Sequence, residues 1–177
     1  MAAPANGDSG DGRLTFRHLG YPTSAGLQKS MSPPVALRSS RNTDAGLFYD
    51  VTEQTMRVHV IAAGGTWEEE PRRREAADDS VNPGASVIVV GEVDAGILIV
   101  ERLPNEVHLL MLCLLPSHQG RAIGRSLVSA LQREAAARRV PLLLDVLKVN
   151  PARRFYERLG FSVVDESEYF FHMRYSP

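Results

Sequence analysis

Two short segments combine residue types and spacing that suit the binding of a phosphorylated ligand. The first is residues 119–124, Gln-Gly-Arg-Ala-Ile-Gly, which stand between an apolar run and a strong helical pattern. Small residues let backbone N–H groups approach a ligand, and a helix N-terminus adds roughly half a positive charge. Segment 119–124 is therefore either an anion cradle or a plain strand-to-helix turn. It contains neither the Gly-Lys-Ser/Thr of a Walker loop nor the dinucleotide-binding G-x-G-x-x-G pattern.

The second segment is residues 150–161, Asn-Pro-Ala-Arg-Arg-Phe-Tyr-Glu-Arg-Leu-Gly-Phe. Asn150 followed by proline favours a helix start, and Gly160 favours a helix end. Tyr156 shares one helical face with apolar residues, so it points inward, where its hydroxyl needs a hydrogen-bond partner. Tyr156 is then either a tyrosine at the edge of the core, bonded to backbone, or a site residue.

Alternating strands and helices must position these two segments. Runs of apolar and β-branched residues predict strands, and the 3.6-residue period and capping residues predict helices. The predicted strands are 35–38, 86–90, 96–100, 106–115, 141–147, 161–164 and 169–173. The predicted helices follow Thr43 or Asp44, cover 67–79, begin near Ile123, and cover 150–160. The order β-α-α-β-β-β-α-β-α-β-β predicts an α/β protein with a mixed sheet.

With both segments in these contexts, the chain resembles the GNAT N-acetyltransferase superfamily over residues 35–177. The family's pyrophosphate pattern, Gln/Arg-x-x-Gly-x-Gly/Ala, falls on residues 119–124, and its second motif falls on Asn150, Phe155, Tyr156, Gly160 and Phe161. The resemblance implies a mixed, mostly antiparallel central sheet flanked by helices. It also implies a splayed strand pair that binds acyl-CoA, with strands ending near residues 115 and 147. One departure is Ala122, where the pattern has glycine: its methyl group either crowds the phosphate or is tolerated by a helical backbone.

The resemblance implies that acetyl-CoA is the co-substrate. Main chain at 112–114 would align the pantetheine arm, amides at 120–125 would hold the pyrophosphate, and Asn150 would contact the pantetheine arm or an ordered water. The implied cofactor-binding residues are Leu112, Cys113, Leu114, Gln119, Gly120, Arg121, Ala122, Ile123, Gly124, Arg125 and Asn150. No metal is expected.

The same resemblance implies acetyl transfer to a primary amine of a small molecule or a protein, by direct attack on the thioester. A backbone N–H near Leu114 would stabilise the oxyanion, and Tyr156 would act as general acid toward the departing thiolate. The base is open among four weak candidates, each of which is more often structural when taken singly. They are Glu106, His108, Glu53 and His59.

Two other functions stay open. A non-catalytic acyl-CoA sensor or interaction domain is favoured by Ala122 and by the lack of an obvious base. A nucleotide-binding protein could use the same cradle, but the Walker lysine and an acidic metal cluster are missing.

The formal net charge of -1 hides a segregation of charge. Residues 119–160 hold nine basic and three acidic residues, which gives +6, and the remainder holds eleven basic and eighteen acidic ones, which gives -7. A pI near 6.5 argues against nucleic acid as the main partner, and the +6 stretch suits the phosphates of CoA. On charge alone, the -7 remainder is the acceptor-facing half. Residues 59–70 correspond to the part that shapes the acceptor pocket, where Trp67 either packs on the acceptor or anchors the fold.

Bulk composition predicts a poorly patterned N-terminal arm at residues 1–34, with a possible alternative start at Met31, and one domain at residues 35–177. The single cysteine, Cys113, lies in an apolar run and is expected in the core of a cytoplasmic protein. No apolar run approaches the ~20 residues of a membrane helix, so no membrane association is expected. A homodimer is possible.

Overall fold

Seven strands and four helices make up the part of the chain that the structure, a computed structural model, describes: residues 34–177. The strands are β1 (Val35–Ser39), β2 (Ala85–Val90), β3 (Val93–Leu103), β4 (Glu106–Leu114), β5 (Leu142–Leu147), β6 (Ser162–Glu166) and β7 (Phe170–Tyr175). The helices are α1 (Ala45–Ala62), α2 (Glu69–Ser80), α3 (Ile123–Arg138) and α4 (Ala152–Glu157). The element order is the predicted one. The predicted arm at residues 1–34 lies outside the described residues except for Pro34, and so does Met31.

All seven strands form one sheet in the order β1-β2-β3-β4-β5-β7-β6. Every neighbouring pair is antiparallel except β4 and β5, which run parallel. Helices α1 and α2 cover one face, where Phe48 and Val51 are fully buried against β2 and β3. Helices α3 and α4 cover the other face, where Val128 and Tyr156 join the larger apolar core. The predicted mixed, mostly antiparallel sheet flanked by helices is confirmed.

A bulge in β4 separates it from β5. Leu109 pairs with Val100 and Met111 pairs with Ile99, so Leu110 is an extra residue without a partner on β3. The parallel pairing with β5 covers only residues 107–109 of β4. Beyond the bulge the two strands diverge and end at Leu114 and Leu147. The predicted splayed strand pair is therefore confirmed, and Leu110 marks where the splay begins.

The open end of β4 has free backbone on one side. The carbonyl oxygen of Cys113 points toward β3, since it lies against Gly96. Because successive residues of a strand direct their backbone groups to opposite sides, Leu112 and Leu114 direct theirs toward the side of β5. That side has no strand partner along the splay. Apart from the Leu114 carbonyl, which accepts a hydrogen bond from the Gln119 side chain, it offers hydrogen-bonding groups to a ligand.

Two boundaries differ from the predicted ones for local reasons. The β2–β3 hairpin turns at Gly91 and Glu92 instead of over residues 91–95, because Gly91 adopts a φ of 64° that permits a tight turn. Helix α4 begins at Ala152, one residue after proline, and a turn over residues 158–160 follows it. Within residues 34–177, no helix has both the length and the apolar character needed to cross a membrane.

Candidate active site

A cavity of about 640 Å³ opens where β4 and β5 diverge. We call it the splay cavity. It is bounded by the end of β4, the turn before α3, and α4, with Thr55, Met56 and His59 of α1 on one side. Among the predicted site residues it is lined by Leu112, Cys113, Leu114, Gln119, Gly120, Ala122, Ile123, Gly124, Arg125, Asn150 and Tyr156. Arg121 belongs to the same turn but does not line the cavity.

The turn before α3 uses two left-handed residues. Gly120 has φ 72° and Ala122, directly before the helix, has φ 61°. The expectation of a helical backbone at Ala122 is wrong: the turn requires a left-handed residue there, a conformation that costs alanine about 1 kcal/mol. The first amides of α3 have no partner within the helix, so they are available at the cavity wall. This arrangement can bind an anion.

Asn150 and Gly160 fix the ends of the α4 segment. The Asn150 Oδ1 accepts a hydrogen bond from the backbone N–H of Ala152 at 2.9 Å, which holds the segment in a turn before the helix. Gly160 has φ 86°, as expected for a residue that ends a helical segment. Within residues 34–177 the side-chain nitrogen of Asn150 has no hydrogen-bond partner, and Asn150 lines the splay cavity.

Tyr156 is buried but keeps an unpaired hydroxyl. Its ring is 9% exposed and packs edge-on against Phe155 and Phe161, with ring centroids 5.1 and 5.7 Å away. Within residues 34–177 no group hydrogen-bonds to the hydroxyl, so the backbone-bonded alternative is wrong. Burial, and then the nearby Cys113 thiol, raises the pKa of Tyr156 above its ordinary value. The phenol therefore keeps its proton at neutral pH.

A second cavity of about 410 Å³ lies between α1, α2 and the ends of β5 and β7. We call it the α1–α2 cavity. Its wall includes Trp67, whose ring carries the guanidinium of Arg72 at 5.1 Å from the ring centroid and whose Nε1 is buried without a partner in the described chain. Met56 lines both cavities, so the two spaces adjoin at this side chain.

The positive stretch divides between two ends of the molecule. Arg125 and Arg158 line the splay cavity. Arg138 instead bonds the carbonyl of Leu103 near the far end of α3, and Arg139 ends that helix. Only part of the positive charge of residues 119–160 therefore faces the splay cavity, because the other basic residues of the stretch do not line it.

The comparisons with known proteins agree with this geometry. Residues 83–163 match the family model of the acetyltransferase (GNAT) domain. The matched residues make up a little under half of the chain, and this part is similar to a GNAT acetyltransferase domain. The match and the shared fold indicate an acyltransferase.

Solved acetyltransferase structures share the fold. The acetyltransferase from Thermus thermophilus is 25% identical with a TM-score of 0.64, and the match covers 83% of this chain and all (100%) of that one. The PaiA N-acetyltransferase from Thermoplasma acidophilum, solved in complex with coenzyme A, is 17% identical with a TM-score of 0.65. The match covers 81% of this chain and 99% of that one. No curated protein matches the sequence.

The four predicted base candidates lie in different places in the structure. His59 lines the splay cavity. Glu53 accepts hydrogen bonds from the hydroxyl of Tyr49 and the guanidinium of Arg57 and lines neither cavity. Glu106 and His108 lie at the starting end of β4, opposite the end that lines the splay cavity. Of the four, the geometry therefore retains His59.

Sequence reasoning missed Asp79, which lines the α1–α2 cavity. Burial, followed by the charges of Glu75 and Asp78, raises the pKa of its carboxyl above the ordinary value. The sequence of residues 67–79 is polar and charged, which predicts an exposed helix, and Ala76 is the one buried apolar residue of α2. The available signal was the spacing of Arg72, Glu75, Ala76 and Asp79, which places all four on one helical face. Within residues 34–177, no three or more His, Cys, Asp or Glu residues are grouped in a way that could hold a metal ion.

Proposed function

We propose that the protein is an N-acetyltransferase that moves the acetyl group of acetyl-CoA to a primary amine by direct attack on the thioester. One observation carries the proposal: the splay cavity meets the α1–α2 cavity at Met56, beside the open end of β4 and the buried Tyr156. A cofactor in the first space and an amine in the second would bring thioester and nitrogen together, the proximity that a transfer between two bound reactants requires.

The splay cavity suits coenzyme A in shape and in charge. The pantetheine arm would lie along Leu112 and Leu114 and complete the open side of β4 as an added strand. The free amides at the start of α3 would hold the pyrophosphate, with Arg125 and Arg158 supplying positive charge at the wall. The coenzyme A complex of PaiA supports this choice of ligand for the fold.

The reaction needs a deprotonated amine, because an ammonium ion has no electron pair with which to attack. His59, the candidate base that lines the splay cavity, would take the proton directly or through water. The nitrogen then bonds to the thioester carbon, and a backbone N–H near Leu114 stabilises the oxyanion. Collapse breaks the carbon–sulfur bond and leaves the CoA thiolate.

Tyr156 would receive that thiolate. A thiol has a pKa of about 8.5, so a phenol with a raised pKa donates a hydrogen bond to the thiolate but holds its own proton more tightly. The hydrogen bond lowers the energy of the leaving group as charge develops on sulfur. The ammonium nitrogen loses two protons in all, one through His59 before attack and one as the tetrahedral intermediate collapses. One of them ends on the CoA sulfur and the other is released to solvent.

A panel of primary amines mixed with acetyl-CoA and purified protein tests the proposal. We expect free thiol to appear only when an amine is present, in equal amount to an acetylated product found by mass spectrometry. Binding of CoA without amine-dependent release would instead favour a sensor. A cytoplasmic location and a homodimer stay predictions from the sequence.

A further inference from the structure

The wall of the α1–α2 cavity is mostly apolar. Side chains from α1, β4, β5 and β7 and from the segment before α2 contribute carbon surface, and they suit an extended apolar body. The apolar members of this wall are Met56, Val60, Trp67, Met111, Leu147 and Phe170. A purely charged or highly hydrated acceptor would lose its hydration here without compensation.

Most polar groups of this cavity are already bonded. The Glu75 carboxylate pairs with Arg72 at 2.6 Å, the Tyr49 hydroxyl donates to Glu53 at 3.3 Å, and the Thr52 hydroxyl donates to backbone at 2.7 Å. Two groups differ: Trp67 Nε1 is a buried donor without a partner in the described chain, and within residues 34–177 the Asp79 carboxylate has neither a hydrogen-bond donor nor a cation as partner. Asp79 thus offers an unmet negative charge to the contents of the cavity.

The surroundings of Asp79 favour a cation as the bound partner of its carboxylate. Partial burial and the charges of Glu75 and Asp78 both raise the pKa of the Asp79 carboxyl, so the ionised form is held at a cost. An ammonium group placed against the carboxylate offsets both effects. No lysine or arginine among the described residues supplies it, since Arg72 is bonded to Glu75.

Asp79 lines the α1–α2 cavity but not the splay cavity, where the thioester would lie. The group it holds is therefore separate from the nitrogen that attacks. This separation implies an acceptor with two functional ends, one at Met56 and one at Asp79.

We propose that Asp79 determines acceptor specificity by binding a second ammonium group, so that the preferred acceptor is a diamine with an apolar spacer. The transfer step itself rests on the proposed function. The selection of the diamine does not, because it is a property of binding and can be measured without turnover.

The test is calorimetric titration of the full chain saturated with CoA. The two probes are an eight-carbon straight-chain diamine and the amino alcohol of the same length, which differ only in the distal charge. We expect the diamine to bind about tenfold more tightly, the size of one charge-assisted hydrogen bond. Asp79→Asn should remove this preference, whereas Asp78→Asn, at the exposed neighbouring carboxylate, should keep it.

Equal binding of the two probes by the wild-type protein, or no binding of either, overturns the proposal. So does a preference that survives in Asp79→Asn. A folding defect is separable, because removing a carboxylate with a raised pKa should hold or increase the thermal midpoint at neutral pH. Failure of acetyl transfer in the amine panel, with the diamine preference intact, counts against the proposed function alone.

Discussion

The side-chain amide of Gln119 donates a hydrogen bond to the carbonyl oxygen of Leu114 at 2.8 Å. This bond joins the turn before α3 to the open end of β4, the two elements that line the splay cavity. Gln119 therefore positions the turn relative to the strand. This bond explains why a glutamine suits the first position of the pyrophosphate pattern at residues 119–124.

Replacing this glutamine tests its positioning role. We expect Gln119→Ala to weaken CoA binding about five- to tenfold, since the turn loses one hydrogen bond of ~1 kcal/mol. Ser40→Ala is a matched control, because the Ser40 hydroxyl donates to the carbonyl of Ser80 at 2.8 Å and neither residue lines the cavity. Calorimetric titration of both variants checks this, and equal effects on CoA affinity would contradict it.

Close contact between β3 and β4 requires glycine at position 96. A Cβ there would lie 2.2 Å from the carbonyl oxygen of Cys113, so a strand would have to move. We expect Gly96→Ala to cost about 2 kcal/mol or more of unfolding free energy. Gly46→Ala is the control: a Cβ at Gly46 meets nothing within 4 Å, and alanine favours the helix by ~0.5–1 kcal/mol. Denaturant unfolding of both variants measures the difference, and similar stabilities would show that the close approach is unimportant.

The left-handed backbone at Ala122 predicts that glycine is accepted there. Ala122→Gly relieves about 1 kcal/mol of backbone strain in the folded chain, but glycine also gives the unfolded chain more conformational entropy, an opposing effect of similar size. The free energy of unfolding should therefore change by less than ~1 kcal/mol. Affinity for CoA should hold or increase. Arg139→Gly, at the other left-handed residue of α3, is the control for backbone relief away from the cavity. Loss of CoA binding in Ala122→Gly alone would mean that the methyl group contacts the ligand.

The unpaired hydroxyl of Tyr156 predicts a kinetic effect without a binding effect. Tyr156→Phe should lower kcat by roughly 10²-fold or less, because it removes one donor to the leaving thiolate, and should leave the CoA affinity unchanged. Tyr175→Phe serves as control, since Tyr175 lies beside Phe161 but outside the splay cavity. Unchanged kcat in Tyr156→Phe would remove Tyr156 from the mechanism.

Burial of the same phenol also predicts a dependence of stability on pH. The pKa of Tyr156 is higher in the folded chain than the ~10 of an unfolded tyrosine. Above that value the unfolded chain loses the proton while the folded chain keeps it, so stability is full below pH ~10 and falls as pH rises. Thermal unfolding of the wild-type protein and Tyr156→Phe between neutral and strongly alkaline pH should show the shallower decline in the variant.

The spacing of apolar residues predicted most of the strands and helices, and two motifs at strand–helix junctions predicted the location of the site. Local patterns predicted the order of elements because each has its own apolar period and end signals. Leu110 could not be recognised as a bulge, because its apolar neighbours fit an unbroken strand equally well. Gly96 and Asp79 matter through contacts with distant parts of the chain, β4 in one case and the α1–α2 cavity in the other. The left-handed Ala122 was missed because alanine ordinarily signals helix.

Occupation of the splay cavity by coenzyme A is the claim on which the rest depends. Gly124 lies against Phe155 and Leu114, and a Cβ there would be 3.5 and 3.9 Å from these side chains. Leucine at this position fits the helix but extends into the cavity. Calorimetric titration of CoA should give one site per chain in the wild-type protein and no binding in Gly124→Leu at an equal or higher thermal midpoint. Absence of wild-type binding, or equal binding by the variant, would contradict it.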